Sequence, residues 1–263
     1  MKMNLCFSTL GCCDRSLDEI FALCARYGFS ALEIRGIGGV LDNRLIPEFG
    51  EERIKETVTR FKNAGVSPLV LGTSCSFHDS GKFAAAADEG RAAVKTAGQL
   101  GARAIRVFGN NLGDNPDEST ARVIDGIGHI LQSADECGVD VLLEVHGDFN
   151  TIEALSPVTQ VLKTEKHFGL IWDICHTHRP YGENWLEFYN AFRPYIKHVH
   201  IKDIKGDKLV LPGEGEIPIK SIVSQLLADG YGGAFSLEWE KKWHPELCEI
   251  EDAIAAFLRQ IDI

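Results

Sequence analysis

Four short segments of the chain end in carboxylates or imidazoles set among apolar residues. They are Leu143-Glu144-Val145-His146, Trp172-Asp173-Ile174-Cys175-His176, His198-Val199-His200-Ile201-Lys202-Asp203 and Leu237-Glu238-Trp239-Glu240. Glutamate, aspartate and histidine are the oxygen and nitrogen donors that suit Mn²⁺, Mg²⁺, Co²⁺, Fe²⁺ or Zn²⁺. Three carboxylates converging with no arginine beside them would repel one another and be driven to protonate, and one divalent cation removes that conflict. A single acid at a strand end is ordinarily a satisfied rim group. Four segments of this kind in succession form a set, and divalent metal binding is the chemistry they support. Alternation along an extended chain puts His146 on the same face as Glu144, and Lys202 on the same face as His200.

These segments need a frame to bring them together. Helix-like stretches end at Tyr27-Gly28-Phe29, Ala64-Gly65-Val66, Leu100-Gly101-Ala102 and Cys137-Gly138-Val139, with spacings of 37, 36 and 37 residues. Each glycine precedes an apolar run of β type, where a left-handed residue stops a helix. Gly169 and Gly230 are expected in equivalent places at less regular spacing. The repeated unit is that of βα modules and a parallel sheet. On this frame the strands are Leu5–Leu10, Ala31–Arg35, Pro68–Thr73, Ala104–Phe108, Val139–His146, Gly169–Cys175, Ile196–Ile201 and Ala234–Trp239. A helix follows each, the first opened by a capping box at Ser16-Leu17-Asp18-Glu19. Eight strands and eight helices in 263 residues predict an α/β fold, a single (β/α)8 TIM barrel over 1–263. A doubly wound open sheet would carry a glycine-rich phosphate turn after its first strand; here that turn reads Leu10-Gly11-Cys12-Cys13. The active site of a barrel lies at the carboxyl ends of its strands, where the four segments fall.

Composition narrows the class further. The formal charge is −11 and no apolar run is long enough to cross a bilayer, so nucleic acid and membrane are not expected as partners. Eight dispersed cysteines without a CxxC pair read as reduced thiols, most of them packed as small hydrophobes. The N-terminus shows no signal-type apolar region, and the expectation is a cytoplasmic protein.

The ordered set Glu144, Asp173-x-x-His176, His198-x-His200-x-Lys202-Asp203 and Leu237-Glu238-x-Glu240 resembles the xylose isomerase-like TIM-barrel superfamily of sugar isomerases and epimerases. The resemblance spans essentially the whole chain, with its specific residues in the second half. Carried over by position, it implies metal ligands Glu144, Asp173, His200 and Glu238, and a contact from His176 to substrate oxygens. Glu144 and Glu238 match the acid–base pair of such epimerases, which work by proton abstraction through a metal-stabilised enediolate. His198 is expected one layer deeper as a packed histidine, and Glu240 is a substitute for Glu238 by alternation. His146 is expected at the substrate. Lys202 would hold an oxyanion or phosphate, or else a rim salt bridge; Arg35 would hold an anionic group, or else a partner carboxylate. Leu211–Glu216 reads as a shaped loop rather than a phosphate cradle. Trp185, Phe188 and Trp243 are expected at the surface, for an interface or the barrel mouth, and a homodimer is implied by the resemblance alone.

The chain departs from the ketose 3-epimerase pattern at two places. Gly206 stands where those enzymes carry an arginine, and Asn150 where they carry a second glutamate. The reading is therefore a metal-dependent isomerase or epimerase acting on a sugar, sugar phosphate or polyol. A keto-inositol or keto-sugar dehydratase is the alternative, since it would use the same proton abstraction. An apurinic endonuclease of the superfamily would need further histidines on the third and fourth strands and an Asp-x-His after the seventh. The fourth strand has no histidine, and no Asp-x-His follows Asp203. A sugar-binding barrel without catalysis is the remaining class.

Overall fold

The helical stretches stop where their glycines demand. Gly28, Gly65, Gly101 and Gly138 take left-handed backbone, with φ of 77°, 66°, 74° and 65°. They close α1 (Leu17–Tyr27), α2 (Ile54–Ala64), α3 (Phe83–Leu100) and α4 (Pro116–Cys137). The start of α1 is a capping box: Ser16 Oγ accepts from the Glu19 amide, and the Glu19 carboxylate accepts from the Ser16 amide. Gly230 is also left-handed and follows α8 (Ile219–Ala228). Gly169 breaks the expected pattern. It lies inside a strand, where a Cβ would come 2.7 Å from Lys197 and 2.9 Å from Leu142, so its smallness serves barrel packing rather than helix termination.

The computed structural model describes residues 3–261. Eight parallel strands form the barrel: β1 (Asn4–Phe7), β2 (Ala31–Ile34), β3 (Ser67–Ser76), β4 (Ala104–Phe108), β5 (Asp140–Glu144), β6 (Phe168–Asp173), β7 (Ile196–Ile201) and β10 (Ala234–Leu237). Their hydrogen-bonded order is β1-β10-β7-β6-β5-β4-β3-β2, and a parallel bridge between Ser8 and Glu33 joins the two ends. All eight expected strands are present, and β4 and β7 have the expected bounds. A hairpin of β8 (Asp203–Lys205) and β9 (Lys208–Val210) follows β7 and was not expected. The remaining helices are α5 (Ile152–Leu162), α6 (Ile174–Tyr181), α7 (Trp185–Phe192) and α9 (Ile250–Ile261).

Two apolar layers hold this arrangement. The larger lies between strands and helices. The smaller fills the amino-terminal end of the barrel interior with Cys6, Ala31, Leu69, Val70, Ala104, Leu142, Ile171 and Ala234. Above it the interior turns charged, because the next inward positions of these strands and of β7 include Glu33, Arg106, Glu144, His200 and Ser236, all buried. Trp185 and Phe188 belong to the outer layer and not to the surface. Trp172 stacks on Phe188 and Tyr189, and Trp185 packs beside it, so α6 and α7 close over an aromatic cluster. Trp243 is exposed, as expected. All eight cysteines are free and six are buried. None of the described helices is long and apolar enough to cross a membrane.

Candidate active site

Each acidic strand end delivers its side chain by a different local device. β5 stops at Glu144, whose carboxylate points inward, and two residues on His146 faces the same cavity. β6 stops at Asp173 because that residue becomes the N-cap of α6. Its Oδ1 accepts from the amides of Cys175 (2.8 Å) and His176 (3.1 Å), which leaves Oδ2 facing the barrel axis. The sixth strand was expected to run to Cys175, and this cap is why it ends earlier. On β7, His198 and His200 both face inward, and Asp203 ends the run. The Asp203 carboxylate accepts from the amides of Gly213, Gly215 and Ile217, so the 211–216 segment is indeed a shaped loop, wrapped around one buried acid. β10 brings up Glu238.

Glu144, Asp173, His200 and Glu238 converge, each offering one donor atom within 4.8 Å of the others. From His200 Nδ1 the carboxylate oxygens lie at 3.4 Å (Glu238), 3.8 Å (Glu144) and 4.0 Å (Asp173). All four residues are buried; Glu144 Oε2 and Asp173 Oδ2 meet only cations, Arg106 Nη1 at 3.1 Å and Lys202 Nζ at 2.8 Å, and His200 Nδ1 has no hydrogen-bond partner. Buried polar atoms of this kind are rarely left unsatisfied. A donor set of three carboxylates and one imidazole, with the unpartnered His200 Nδ1 facing all three acids, fits a divalent cation.

The carboxylates do not stand alone, and here the structure corrects the expectation that no arginine lies beside them. Arg106, in the middle of β4, reaches across the interior; its Nη1 lies 3.1 Å from Glu144 and 3.2 Å from Glu238. Lys202 is no rim group. It is fully buried, 2.8 Å from Asp173 and 2.7 Å from Glu238, and it also pairs with Glu240. Glu240 is thus engaged by Lys202 and lies outside the four-residue cluster.

His198 lies deeper, as expected, but it shares a partner with His200. Glu33 Oε2 accepts from Nε2 of both rings at 2.9 Å and from Ser236 Oγ at 3.1 Å. An ionised carboxylate only accepts, so both Nε2 atoms carry hydrogen, and His200 is oriented with Nδ1 toward the acids. Glu33 and Arg106 both escaped a reading confined to strand ends. Each is a charged residue in mid-strand, where a buried parallel strand is normally a continuous apolar run.

The electrostatics follow from burial and these pairings. Burial pushes Glu144 up to about 8, against the pull of Arg106. Burial likewise opposes the charged form of His200, but Glu238, Glu33 and Glu144 outweigh it and hold the ring well above its ordinary range. Glu238 is held well below the usual carboxylate range by His200 and Lys202 despite its burial. Burial drives His176 down to about 4 and lowers His146. Both are therefore neutral rings near pH 7, packed with centroids 4.1 Å apart and ring planes tilted by 50°.

A cavity of about 280 Å³ opens above the cluster. Of the residues expected at the substrate, Arg35, His146 and Lys202 line it, together with Glu144 and Glu238. His176 sits behind His146 and is not part of the wall. Asn110 also lines the cavity, and it is the one non-glycine with positive φ (61°) among the described residues.

A closed parallel barrel with acids and imidazoles gathered at the carboxyl ends of its strands has the architecture of a TIM-barrel enzyme. The family model of the xylose isomerase-like TIM barrel matches residues 21–261, and the chain belongs to that family. Fructoselysine 3-epimerase of Escherichia coli O157:H7 is 24% identical over 132 residues, 47% of this chain and 46% of that protein. The chain thus matches about half the length of this curated relative. Among solved structures, the IolI protein with a bound zinc atom superposes with a TM-score of 0.80 at 22% identity, covering 98% of this chain and 96% of the other. A D-tagatose 3-epimerase-like protein gives 0.78 at 22%, covering 98% and 97%. The probable 3-DHS dehydratase AsbF of Bacillus anthracis gives 0.79 at 16%, covering 97% and 98%.

Two predictions follow from the proton balance and from Glu33. Metal uptake requires Glu144 to lose its proton, as well as the one on His200 Nδ1, so zinc affinity should rise with pH toward about 8 with proton release. Titration calorimetry in buffers of different ionisation enthalpy measures this, and affinity independent of pH would contradict it. Glu33→Gln should weaken zinc binding by about 10- to 100-fold, read by competition with a chelator, because His200 loses the anion that orients it.

Proposed function

We propose that the protein is a divalent-metal-dependent isomerase or epimerase of a small sugar or polyol, with Glu144, Asp173, His200 and Glu238 as the metal-holding set. The cation would supply Lewis-acid polarisation of a substrate carbonyl and its neighbouring hydroxyl. Zinc in the IolI structure supports the presence of a cation, and the epimerase relatives support the reaction class.

The observation that carries this reading is the placement of the two glutamates. Glu144 comes from β5 and Glu238 from β10, with β6 and β7 between them in the barrel, so the two approach the cluster from different sides. Arg106 Nη1 bridges them from below. Glu144, whose carboxyl is the proton-rich member of the pair, and Glu238, which is held ionised, differ in the protonation that a base and an acid require. One takes the proton beside the carbonyl and the other returns it. Return to the opposite face of the same carbon inverts the centre; return to the neighbouring carbon moves the carbonyl. His146, a neutral ring in the cavity wall, is placed to hydrogen-bond substrate hydroxyls. Arg106 and Lys202 keep compensating charge on the acids throughout.

A dehydratase reading is favoured by one observation, the burial of protonated Lys202 in the cavity wall. An ammonium there is placed to give a proton to a departing β-hydroxyl. The likeness to the probable 3-DHS dehydratase accords with that reading.

The zinc- or manganese-loaded protein, incubated in D₂O with ketoses, aldoses and keto-inositols, should place deuterium at one substrate carbon, seen by NMR. Glu144→Gln and Glu238→Gln should each lower turnover by about 100-fold or more. Water loss without any epimer would select the dehydratase. Sugar binding unaffected by either variant, with no exchange, would reduce the protein to a binding barrel.

A further inference from the structure

Arg35 stands just beyond the end of β2 and is almost fully buried in the cavity wall. Its guanidinium donates only to neutral partners: Nη1 to the Leu41 carbonyl at 3.0 Å and Nη2 to Ser74 Oγ at 2.8 Å. It forms no ion pair among the described residues. Glu89, the carboxylate that most favours its charge, accepts from the Ser74 amide at 2.6 Å and makes no ion pair with Arg35. The other two cations of the cavity are placed differently. Arg106 bridges Glu144 and Glu238, and Lys202 lies among Asp173, Glu238 and Glu240.

The cost of this arrangement is physical. A guanidinium does not shed its charge in a protein, and a buried charge is normally paired. Burial and the neighbouring Arg106 lower Arg35 to about 10, the signature of a positive charge short of compensation, whereas Arg106 is raised despite its deeper burial. The backbone has been shaped to seat both arginines. A Cβ on Gly72 would come 2.6 Å from Arg35 Cδ and 3.4 Å from Arg106 Nη2. Two of the five guanidinium N–H groups are used, which leaves three for a ligand.

We propose that Arg35, with Ser74 beside it, is an anion subsite, and that the substrate carries a carboxylate or phosphoryl group that supplies the counter-charge Arg35 lacks. A neutral sugar would leave a buried cation facing only hydroxyls. An anionic one pairs with it through charge-assisted hydrogen bonds and fixes which end of the molecule lies toward Glu144 and Glu238. The proposal takes the cavity of the proposed function as the binding site, but it concerns binding alone and is measurable without turnover.

The experiment is a binding comparison of D-galacturonate, D-fructose 6-phosphate and D-fructose, read by titration calorimetry and by the fluorescence of Trp243 at the cavity wall, on chelator-treated and zinc-loaded protein. At least one charged sugar should bind about tenfold or more tighter than fructose, and its affinity should fall as salt rises. The carboxylate and phosphate arms tell the two anions apart. Arg35→Met should bring the charged sugar down to the level of fructose, while Arg35→Lys should keep part of the preference. Ser74→Ala, which retains the guanidinium and its contact to Leu41, should show a smaller loss and guards against misfolding of Arg35→Met. Equal affinity for charged and neutral sugars, or a charged-sugar affinity unmoved by Arg35→Met, would overturn the proposal. Arg35-dependent anion binding without C–H exchange would sustain the subsite and sink the isomerase reading. Exchange on neutral sugars only would do the reverse.

Discussion

Three carboxylates buried within reach of one imidazole set the terms for the rest of this molecule. Their mutual repulsion is strong in a dry interior, and the chain offsets it in three ways. Arg106 and Lys202 lie between the acids. Glu144 holds its proton up to about 8. Glu33, one layer deeper, orients His200 with Nδ1 toward the other three. On the proposed reading the same site would balance its charge with protons or with a divalent ion, and that exchange would link pH to metal occupancy.

The barrel makes such a concentration of charge affordable. Its interior carries a small apolar layer toward the amino-terminal ends of the strands, so the charged layers sit between that layer and the cavity at the carboxyl ends. Alternation in the parallel strands puts Glu33 and Arg35, Glu144 and His146, and His198, His200 and Lys202 on the inner face in step. Outside the barrel, Asp203 organises the loop beyond β7 and the aromatic cluster under α6 and α7 steadies the end of β6, where Asp173 must stop the strand. These supports lie away from the cavity, but they hold the ends of the strands that carry the site.

The frame and the four converging residues were legible in the sequence for definite reasons. Left-handed glycines after Tyr27, Ala64, Leu100 and Cys137 mark helix ends by backbone sterics, and the acids lie where a barrel exposes strand ends. Glu33 and Arg106 were not found because they sit one position deeper, inside strands, and their partners are 165 and 132 residues away in sequence. Trp185 and Phe188 read as surface groups, since nothing local shows that Trp172 lies across from them. The start of α6 was hidden because Asp173 serves two purposes at once, ending a strand and capping a helix. The hairpin after β7 was too short to stand out. What stayed out of reach was long-range pairing rather than local pattern.

Crystals soaked in Mn²⁺ or Zn²⁺ and examined by anomalous diffraction at the metal edge test the central claim most directly. One ion should appear bonded to Glu144, Asp173, Glu238 and Nδ1 of His200, at about 2.0–2.2 Å for zinc. Nε2 of His200 should remain on Glu33. An ion bound elsewhere, or none at saturating metal with Arg106 and Lys202 still paired to the acids, would contradict the account.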